Sequence, residues 1–513
     1  MDLFGTAGIR GSAADRVTPE LALAVGGAVG AEIRSRDAQG DAQRENPLEP
    51  TAVLARDGRV TGPALAAAAT AGLAAAGVAV ERAGRLPTPA LAHASRGRYG
   101  VMLTASHNPP TDNGIKLFRD GREFDRELER AVESRVAVEA SVAGWDAWTE
   151  PVGTDPLAGY LDDVREYAER FGADLDGLRV AVDCGNGMSA PATPTVLREL
   201  GAEVVTLNGN VDGHFPGRGS KPTPETLADL RAFVADANAG VAEPGRPAGG
   251  RGGGEGSGGE GSGGDRSSGA EGFAFGIGHD GDADRIVVVD ADGEIVHEDT
   301  VVAVLAERYV AESGAADPVV VTTPNASGRI DERVRAAGGR VERVRLGALH
   351  EGIAAVREAA ADGSKAGTGD GDTRVVFAAE PWKHVHVGFG GWIDGVASAA
   401  VIARLVADEG LDALREPVSE RPYRKVSVPC PDDAKESVMD RLETALPGAF
   451  PDAAVDTDHG VRLEFDDASW TLVRPSGTEP YVRAYAESDD VDALVAEVKA
   501  AVEAAVRAVD SGA

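Results

Sequence analysis

A chain of 513 residues is too long for one hydrophobic core and, at roughly 100–200 residues per domain, divides into three or four units. Its 42% hydrophobic and 26% charged residues are those of a folded globular protein and exclude a disordered or fibrous one. The 51 Lys and Arg stand against 84 Asp and Glu, and the resulting net charge of −33 repels nucleic acid and anionic lipid and argues against both as partners. Lysine is confined to Lys116, Lys221, Lys365, Lys383, Lys425, Lys435 and Lys499, so arginine carries nearly all the positive charge. Self-repulsion on this scale needs screening, and the Debye length shrinks to about 3 Å at 1 M salt, so a halophilic protein of a very salty cytoplasm is expected. Cys184 and Cys430 lie far apart, with neither metal-ligand spacing nor a disulfide framework, which also fits a reducing cytoplasmic compartment. No basic segment followed by an apolar run opens the chain. The Ala-rich stretch from Ala64 to Ala79 is broken by Gly72 and Gly77, so no membrane span is expected.

Along the chain, short β-branched runs alternate with amphipathic Ala-rich runs, the pattern of α/β layers. In the first stretch (1–150), Val53–Ala55 and Val101–Leu103 read as buried strands with a helix over Pro63–Ala76. The second (151–297) has strands over Arg179–Asp183, Val204–Leu207 and Phe273–Ile277, with helices over Pro194–Leu200 and Pro224–Ala237. In the third (298–416), strands at Val319–Val321 and Val375–Phe377 alternate with helices over Arg329–Ala337 and Leu349–Ala359. From Pro417 the pattern changes: strands Arg424–Val428, Val461–Phe465 and Trp470–Val473, with helices Ala434–Leu446 and Val491–Ala508, make a small α+β unit (417–513). The fold class is thus α/β, with three comparable units followed by a smaller C-terminal one.

Within the second stretch, Glu243–Gly272 is dominated by Gly, Ser, Glu and Arg and buries too little apolar surface to offset its ordering entropy. It reads as a flexible surface insertion. A phosphate-cradling glycine loop is the sharper alternative, but no strand leads into it and no helix with Lys-Ser or Lys-Thr follows. Replacing Glu243–Gly272 with a short Gly-Ser linker is expected to leave the fold intact and function within a few-fold of the parent; lost function in a folded variant would show that the segment takes part in it.

Four segments carry chemistry. Thr104-Ala105-Ser106-His107-Asn108-Pro109-Pro110 follows the strand Val101–Leu103, placing Ser106 at a strand's C-terminal end, where open α/β sheets bind ligands. Taken alone, such a serine is more often a cap or turn residue. Asp280-Gly281-Asp282-Ala283-Asp284-Arg285 alternates three carboxylates, an oxygen-only set suited to a hard divalent cation. An EF-hand needs glycine at loop position six and glutamate at twelve, and Arg285 and Ala291 stand there instead. A solvated acidic turn is the bland alternative. Arg474-Pro475-Ser476-Gly477-Thr478-Glu479-Pro480 offers a bidentate guanidinium, two hydroxyls and turn amides to an anion. Phe4-Gly5-Thr6-Ala7-Gly8-Ile9-Arg10-Gly11 places Arg10 in another glycine-rich loop, compatible with anion contact.

In this order and on these units, the four segments resemble the α-D-phosphohexomutase family of phosphoglucomutase, phosphomannomutase and phosphoglucosamine mutase. Arg56-Asp57-Gly58-Arg59, Leu86-Pro87-Thr88-Pro89, Asn113-Gly114-Ile115-Lys116 and Asp394-Gly395 add to the likeness, which spans nearly the whole chain. The resemblance implies four domains around a central cleft, three related α/β domains with mixed sheets and a smaller C-terminal α+β domain, one loop from each facing a sugar phosphate. It further implies that Ser106 carries a phosphoryl group and that Ser106, Asp280, Asp282 and Asp284 hold Mg²⁺. Arg10, His107, Lys116 and Arg285 would line the reacting centre, and Arg474, Ser476, Gly477 and Thr478 would hold the idle phosphate. Phospho-Ser106 would give its group to the substrate, form a hexose 1,6-bisphosphate and take back the other phosphate. Phosphoryl transfer needs positioning and charge neutralisation above all, and this set supplies both. Lys116 would move the proton, its pKa lowered by Arg10, Arg285 and the metal.

One loop departs from the family pattern. Where Glu-x-Ser-Gly-His is usual, this chain has Glu380-Pro381-Trp382-Lys383-His384. Glu380 and His384 keep the places that bond sugar hydroxyls; Trp382 either stacks on a sugar face or merely packs, and Lys383 offers a cation to a phosphate or carboxylate. The expected reaction is a mutase acting on glucose or mannose phosphates, with phosphoglucosamine mutase as its rival. A phosphatase, or a non-catalytic sugar-phosphate-binding protein, would be the alternative of another class.

Overall fold

A computed structural model describes residues 3–5, 8–38, 50–138, 142–241, 272–361, 372–476 and 480–510 of the chain. All of the Gly-rich segment except Gly272 lies outside the described residues, as do Gly477 and Thr478.

Four sheets organise the described residues. The first runs in the order Ile9–Ser12, Asp112–Arg119, Tyr99–Leu103, Thr51–Arg56, Ala79–Arg85 and Val152–Gly153, with Arg122–Glu123 folded back on Asp112–Arg119. Its centre is parallel, Thr51–Arg56 pairing with both Ala79–Arg85 and Tyr99–Leu103, and its Ile9 side is antiparallel. Both faces of the centre are covered, which is why Tyr99–Leu103 is buried at every residue rather than at alternate ones. The second sheet is Ile286–Val289, Phe275–His279, Arg179–Asp183 and Glu203–Leu207; the third is Arg340–Arg343, Asp317–Thr322, Thr373–Glu380 and Lys383–Val385. Each ends in one antiparallel strand, and all three sheets are therefore mixed. The fourth is wholly antiparallel, in the order Tyr423–Pro429, Tyr481–Glu487, Trp470–Pro475, Val461–Glu464 and Ala454–Asp456. Two helices, Lys435–Ala449 and Val491–Asp510, pack against each other beside it.

One continuous core joins the first three sheets. Met102 and Phe118 of the first, Val182 and Ile277 of the second and Val320 and Phe377 of the third belong to it. At its centre runs the helix Gly395–Glu409, buried on all sides from Gly395 to Val406 because its residues are mostly Ala and Val. Asp394 caps that helix by accepting from Ala397 N at 2.8 Å, and it also accepts from Tyr160 Oη at 2.8 Å and Trp392 Nε1 at 2.9 Å. Each large side chain sealed here, such as Phe377, contributes about 1.5–3 kcal/mol. The fourth sheet has its own core, built from Leu442, Leu463, Val498 and Val502. It docks on the third through the buried ion pair of Arg329 and Glu487 at 2.9 Å, with Trp470 Nε1 donating to Glu487 at 2.7 Å.

Two expected elements shift. The strand read at Phe273–Ile277 is Phe275–His279, because its register against Arg179–Asp183 begins at Phe275 opposite Val180. The helix read from Pro224 starts at Ala228; Thr223 and Thr226 bond each other's backbone amides in a turn before it, which periodicity alone does not reveal.

Candidate active site

The serine loop leaves the first sheet after Leu103. Ser106 is fully buried and sits at φ 51°, a left-handed conformation that costs a non-glycine residue about 1 kcal/mol or more. Its amide donates to Thr104 Oγ1 at 2.9 Å. Its hydroxyl donates to Asp280 Oδ2 at 2.6 Å and lies 3.4 Å from His107 Nδ1. Asp280 belongs to the turn between Phe275–His279 and Ile286–Val289, so this hydrogen bond joins the first sheet's serine loop to the second sheet. The approach is close enough to require glycine next door, since a Cβ on Gly281 would lie 2.6 Å from the Ser106 carbonyl.

Asp280, Asp282 and Asp284 are all buried, and one oxygen from each lies within 4.8 Å of the others. Oδ1 of Asp282 and of Asp284 is buried without a hydrogen-bond partner. Three converging carboxylates with unsatisfied oxygens and no nitrogen or sulfur fit a hard divalent cation. Burial and its two neighbours push the Asp280 carboxyl well above the usual range. Burial would raise Asp284 too, but the Lys116 ammonium at 2.7 Å and Arg285 hold it well below that range.

Lys116 stands on Asp112–Arg119 opposite Met102, its ammonium also 3.5 Å from Asp282 and 4.0 Å from Glu123. The expected lowering of its pKa is reversed. Burial acts in that direction, but Asp284, Asp282 and Glu123 outweigh both burial and Arg10 and keep the ammonium charged. His107 is pushed down to about 3, first by burial and then by Arg285 and Arg10, and is neutral. Arg285 Nε lies 3.8 Å from Asp280 and 3.9 Å from Asp284. Arg10, Lys116, Asp284 and Arg285 share one pocket with Glu380 and Lys383 of the third sheet.

The sugar-loop residues divide. Glu380 and Lys383 face each other across a two-residue hairpin, Lys383 Nζ donating to Glu380 Oε2 at 3.1 Å and Gly347 N to its Oε1 at 2.6 Å. Trp382, at φ 66°, packs instead against the apolar cluster of Leu227, Leu230 and Val287, and its carbonyl accepts from Ile286 N at 3.1 Å. Of its two expected roles, stacking on sugar or packing, the packing role is what this placement supplies. His384 is 1% exposed, its Nδ1 is 3.0 Å from Ser398 Oγ, and burial pushes its pKa down to about 3. Neither Trp382 nor His384 lines the pocket.

Arg474 and Ser476 are carried by the fourth sheet, at the end of Trp470–Pro475. Arg474 donates to Tyr485 Oη at 3.1 Å, Lys435 Nζ holds the Ser476 carbonyl at 2.6 Å, and Arg474 Nε and Ser476 Oγ are buried without partners. Among the described residues, none from this sheet lines the pocket of Arg10, Lys116 and Arg285. The pocket instead opens into a cleft of about 450 Å³, with which it shares Glu123, Gly347 and His350. Those three were not legible as site residues: Glu123 depends on the fold-back of Arg122–Glu123, and the other two follow the edge strand Arg340–Arg343 without any chemical motif.

The phosphoglucomutase/phosphomannomutase family models match this chain in three places: α/β/α domain I over residues 1–142, α/β/α domain II over 158–242 and the C-terminal domain over 426–505. A phosphopentomutase of Thermococcus kodakarensis is 37% identical over 95% of this chain and 94% of its own length. The chain belongs to the phosphoglucomutase/phosphomannomutase family. It is accordingly an isomerase, an intramolecular phosphotransferase of the phosphohexomutase superfamily. A probable phosphoglucosamine mutase of Methanopyrus kandleri is 38% identical over 95% of this chain and 94% of its own. A phosphoglucomutase/phosphomannomutase family protein of Burkholderia thailandensis shares the fold with a TM-score of 0.77, at 24% identity over 100% of this chain and 98% of that one. No helix among the described residues is long and apolar enough to cross a membrane.

Proposed function

We propose that the enzyme interconverts the 1- and 6-phosphates of a neutral hexose, glucose or mannose, through phospho-Ser106 and a hexose 1,6-bisphosphate. The observation that carries this reading is the Ser106 hydroxyl seated on Asp280 within the buried carboxylate triad, with Lys116, Arg10 and Arg285 around it. Asp280, Asp282, Asp284 and the Ser106 oxygen would hold Mg²⁺, which when bound neutralises charge on the transferring group. The sugar hydroxyl forms its bond to phosphorus while the Ser106 oxygen departs with the bonding pair. Lys116 takes the hydroxyl proton and gives it back to the departing sugar oxygen in the return step. With Asp282 and Asp284 committed to the cation, Glu123 at 4.0 Å would be left to favour the charged amine, against which Arg10, Arg285 and the cation would favour the neutral form. Arg474, Ser476, Gly477 and Thr478 hold the idle phosphate, the unpartnered Arg474 Nε and Ser476 Oγ being suited to an anion. The partners are small sugar phosphates, met in a salty cytoplasm where counter-ions screen the acidic surface.

The sugar itself is read from Lys383. Its ammonium shares the pocket with Arg10, Lys116 and Arg285 as well as with Glu123, Asp284 and Glu380, and a protonated aminosugar set beside Lys383 meets like charge. This weighs against glucosamine, for which the Methanopyrus relative is named, and in favour of glucose and mannose. Because both Glu380 oxygens already have partners, fewer acceptors remain for hydroxyls, and a pentose phosphate is the second reading, in keeping with the name of the Thermococcus relative. Side-by-side assays are expected to give kcat/KM for glucose or mannose 1-phosphate at least about tenfold above glucosamine 1-phosphate, with Lys383→Met narrowing that gap. A preference for glucosamine 1-phosphate would overturn the neutral-sugar reading, and a preference for ribose 1-phosphate would replace hexose with pentose.

A further inference from the structure

Behind the serine loop lies Arg59, fully buried, with all five of its N–H donors committed. Nε donates to Asp57 Oδ2 at 3.0 Å. One terminal nitrogen donates to the carbonyls of Pro109 at 2.5 Å and Asp112 at 2.9 Å, and the other to those of Ser106 and Asn108, each at 2.8 Å. Four carbonyls of the loop that carries Ser106 thus converge on one guanidinium, which holds a turn whose serine is strained at φ 51°. A fork of fixed geometry can do this and a single ammonium cannot.

The same residue reaches the carboxylate triad. Asp57, which neutralises Arg59, accepts from the Arg59 amide at 3.0 Å and from Thr104 Oγ1 at 2.8 Å. Thr104 Oγ1 in turn takes the Ser106 amide and lies 3.2 Å from Asp282 Oδ2, where Thr88 Oγ1 also donates at 2.6 Å. Phe215, from a loop of the second stretch, covers the guanidinium with its ring 5.2 Å away. Every link is buried, so the arrangement has few alternatives of similar energy.

We propose that Arg59 is a positioning residue for phosphoryl transfer: it holds the serine loop by its carbonyls and, through Asp57 and Thr104, fixes that loop relative to Asp282 and so seats Ser106 on Asp280. This rests on the reading of Ser106 as the phosphoryl carrier. Arg59 touches neither sugar nor phosphate, so its loss displaces the nucleophile while leaving the sugar contacts in place. A displacement of about 1 Å costs on the order of a hundredfold in rate.

The test compares wild type, Arg59→Lys and Thr104→Val in transfer of labelled phosphate from glucose 1,6-bisphosphate to Ser106, alongside steady-state kinetics and near-UV circular dichroism. Both variants are expected to label Ser106 and turn over about a hundredfold more slowly, with KM for the preferred sugar phosphate within about threefold of wild type. A brace of the fold alone would lower thermal stability and leave kcat of the folded fraction unchanged. Folded Arg59→Lys that labels at the wild-type rate overturns the proposal; should that variant fail to fold, Thr104→Val labelling at the wild-type rate overturns it instead. Wild-type protein that takes no label refutes the carrier reading itself, an outcome distinct from either.

Discussion

Ser106→Ala is expected to fold, to bind Mg²⁺ and to lose at least about 10⁴-fold in mutase turnover, because it removes the atom that receives the phosphoryl group. The folded state should tolerate the change. The hydroxyl donates only to Asp280 and lies at the limit of reach of His107, so its removal costs about 1 kcal/mol. Mass spectrometry of the wild type should find one phosphate on Ser106, discharged by excess substrate 1-phosphate and restored by the 1,6-bisphosphate. Substantial activity in Ser106→Ala, or no condition that phosphorylates Ser106, would sink the covalent mechanism.

Asp282→Asn should fail in a different way. The serine remains, but one carboxylate of the triad becomes a neutral amide whose N–H group faces either the cation or the Thr88 hydroxyl, now 2.6 Å from Oδ2. Charge neutralisation of the transferring group is worth several kcal/mol, so kcat should fall on the order of a thousandfold and the Mg²⁺ needed for half-maximal rate should rise. The variant should still acquire phosphate on Ser106 when incubated long with the bisphosphate, which Ser106→Ala cannot. Unchanged Mg²⁺ dependence in Asp282→Asn would mean that the triad is not where the cation acts.

Much of the architecture was legible because its signals are local. Val53–Ala55, Val101–Leu103 and Val319–Val321 are short apolar runs that form strands wherever they find neighbours; the end of Val101–Leu103 placed Ser106 on a loop, and the end of Phe273–Ile277 did the same for Asp280. The boundary errors arose where another interaction set the start: register against Arg179–Asp183 for one strand, a threonine turn for one helix. Asp280, Asp282 and Asp284 were legible together because they alternate within one turn. Arg59 was visible only as part of a motif, with no role attached, because its work is done on residues about fifty positions away.

By itself, the sequence determined the α/β character, the placing of the serine and aspartate loops at strand ends, and the acidic, lysine-poor surface, all of which follow from residues close together in the chain. Only the tertiary structure decided what those loops meet. It set Lys116 on Asp284 rather than among arginines alone, turned Trp382 into the apolar cluster beside the second sheet, withdrew His384 beneath the third, and closed Lys383 onto Glu380. Each of these outcomes depends on burial and on charges brought together from distant segments, and at close range in a low-dielectric interior those two effects decide protonation and orientation.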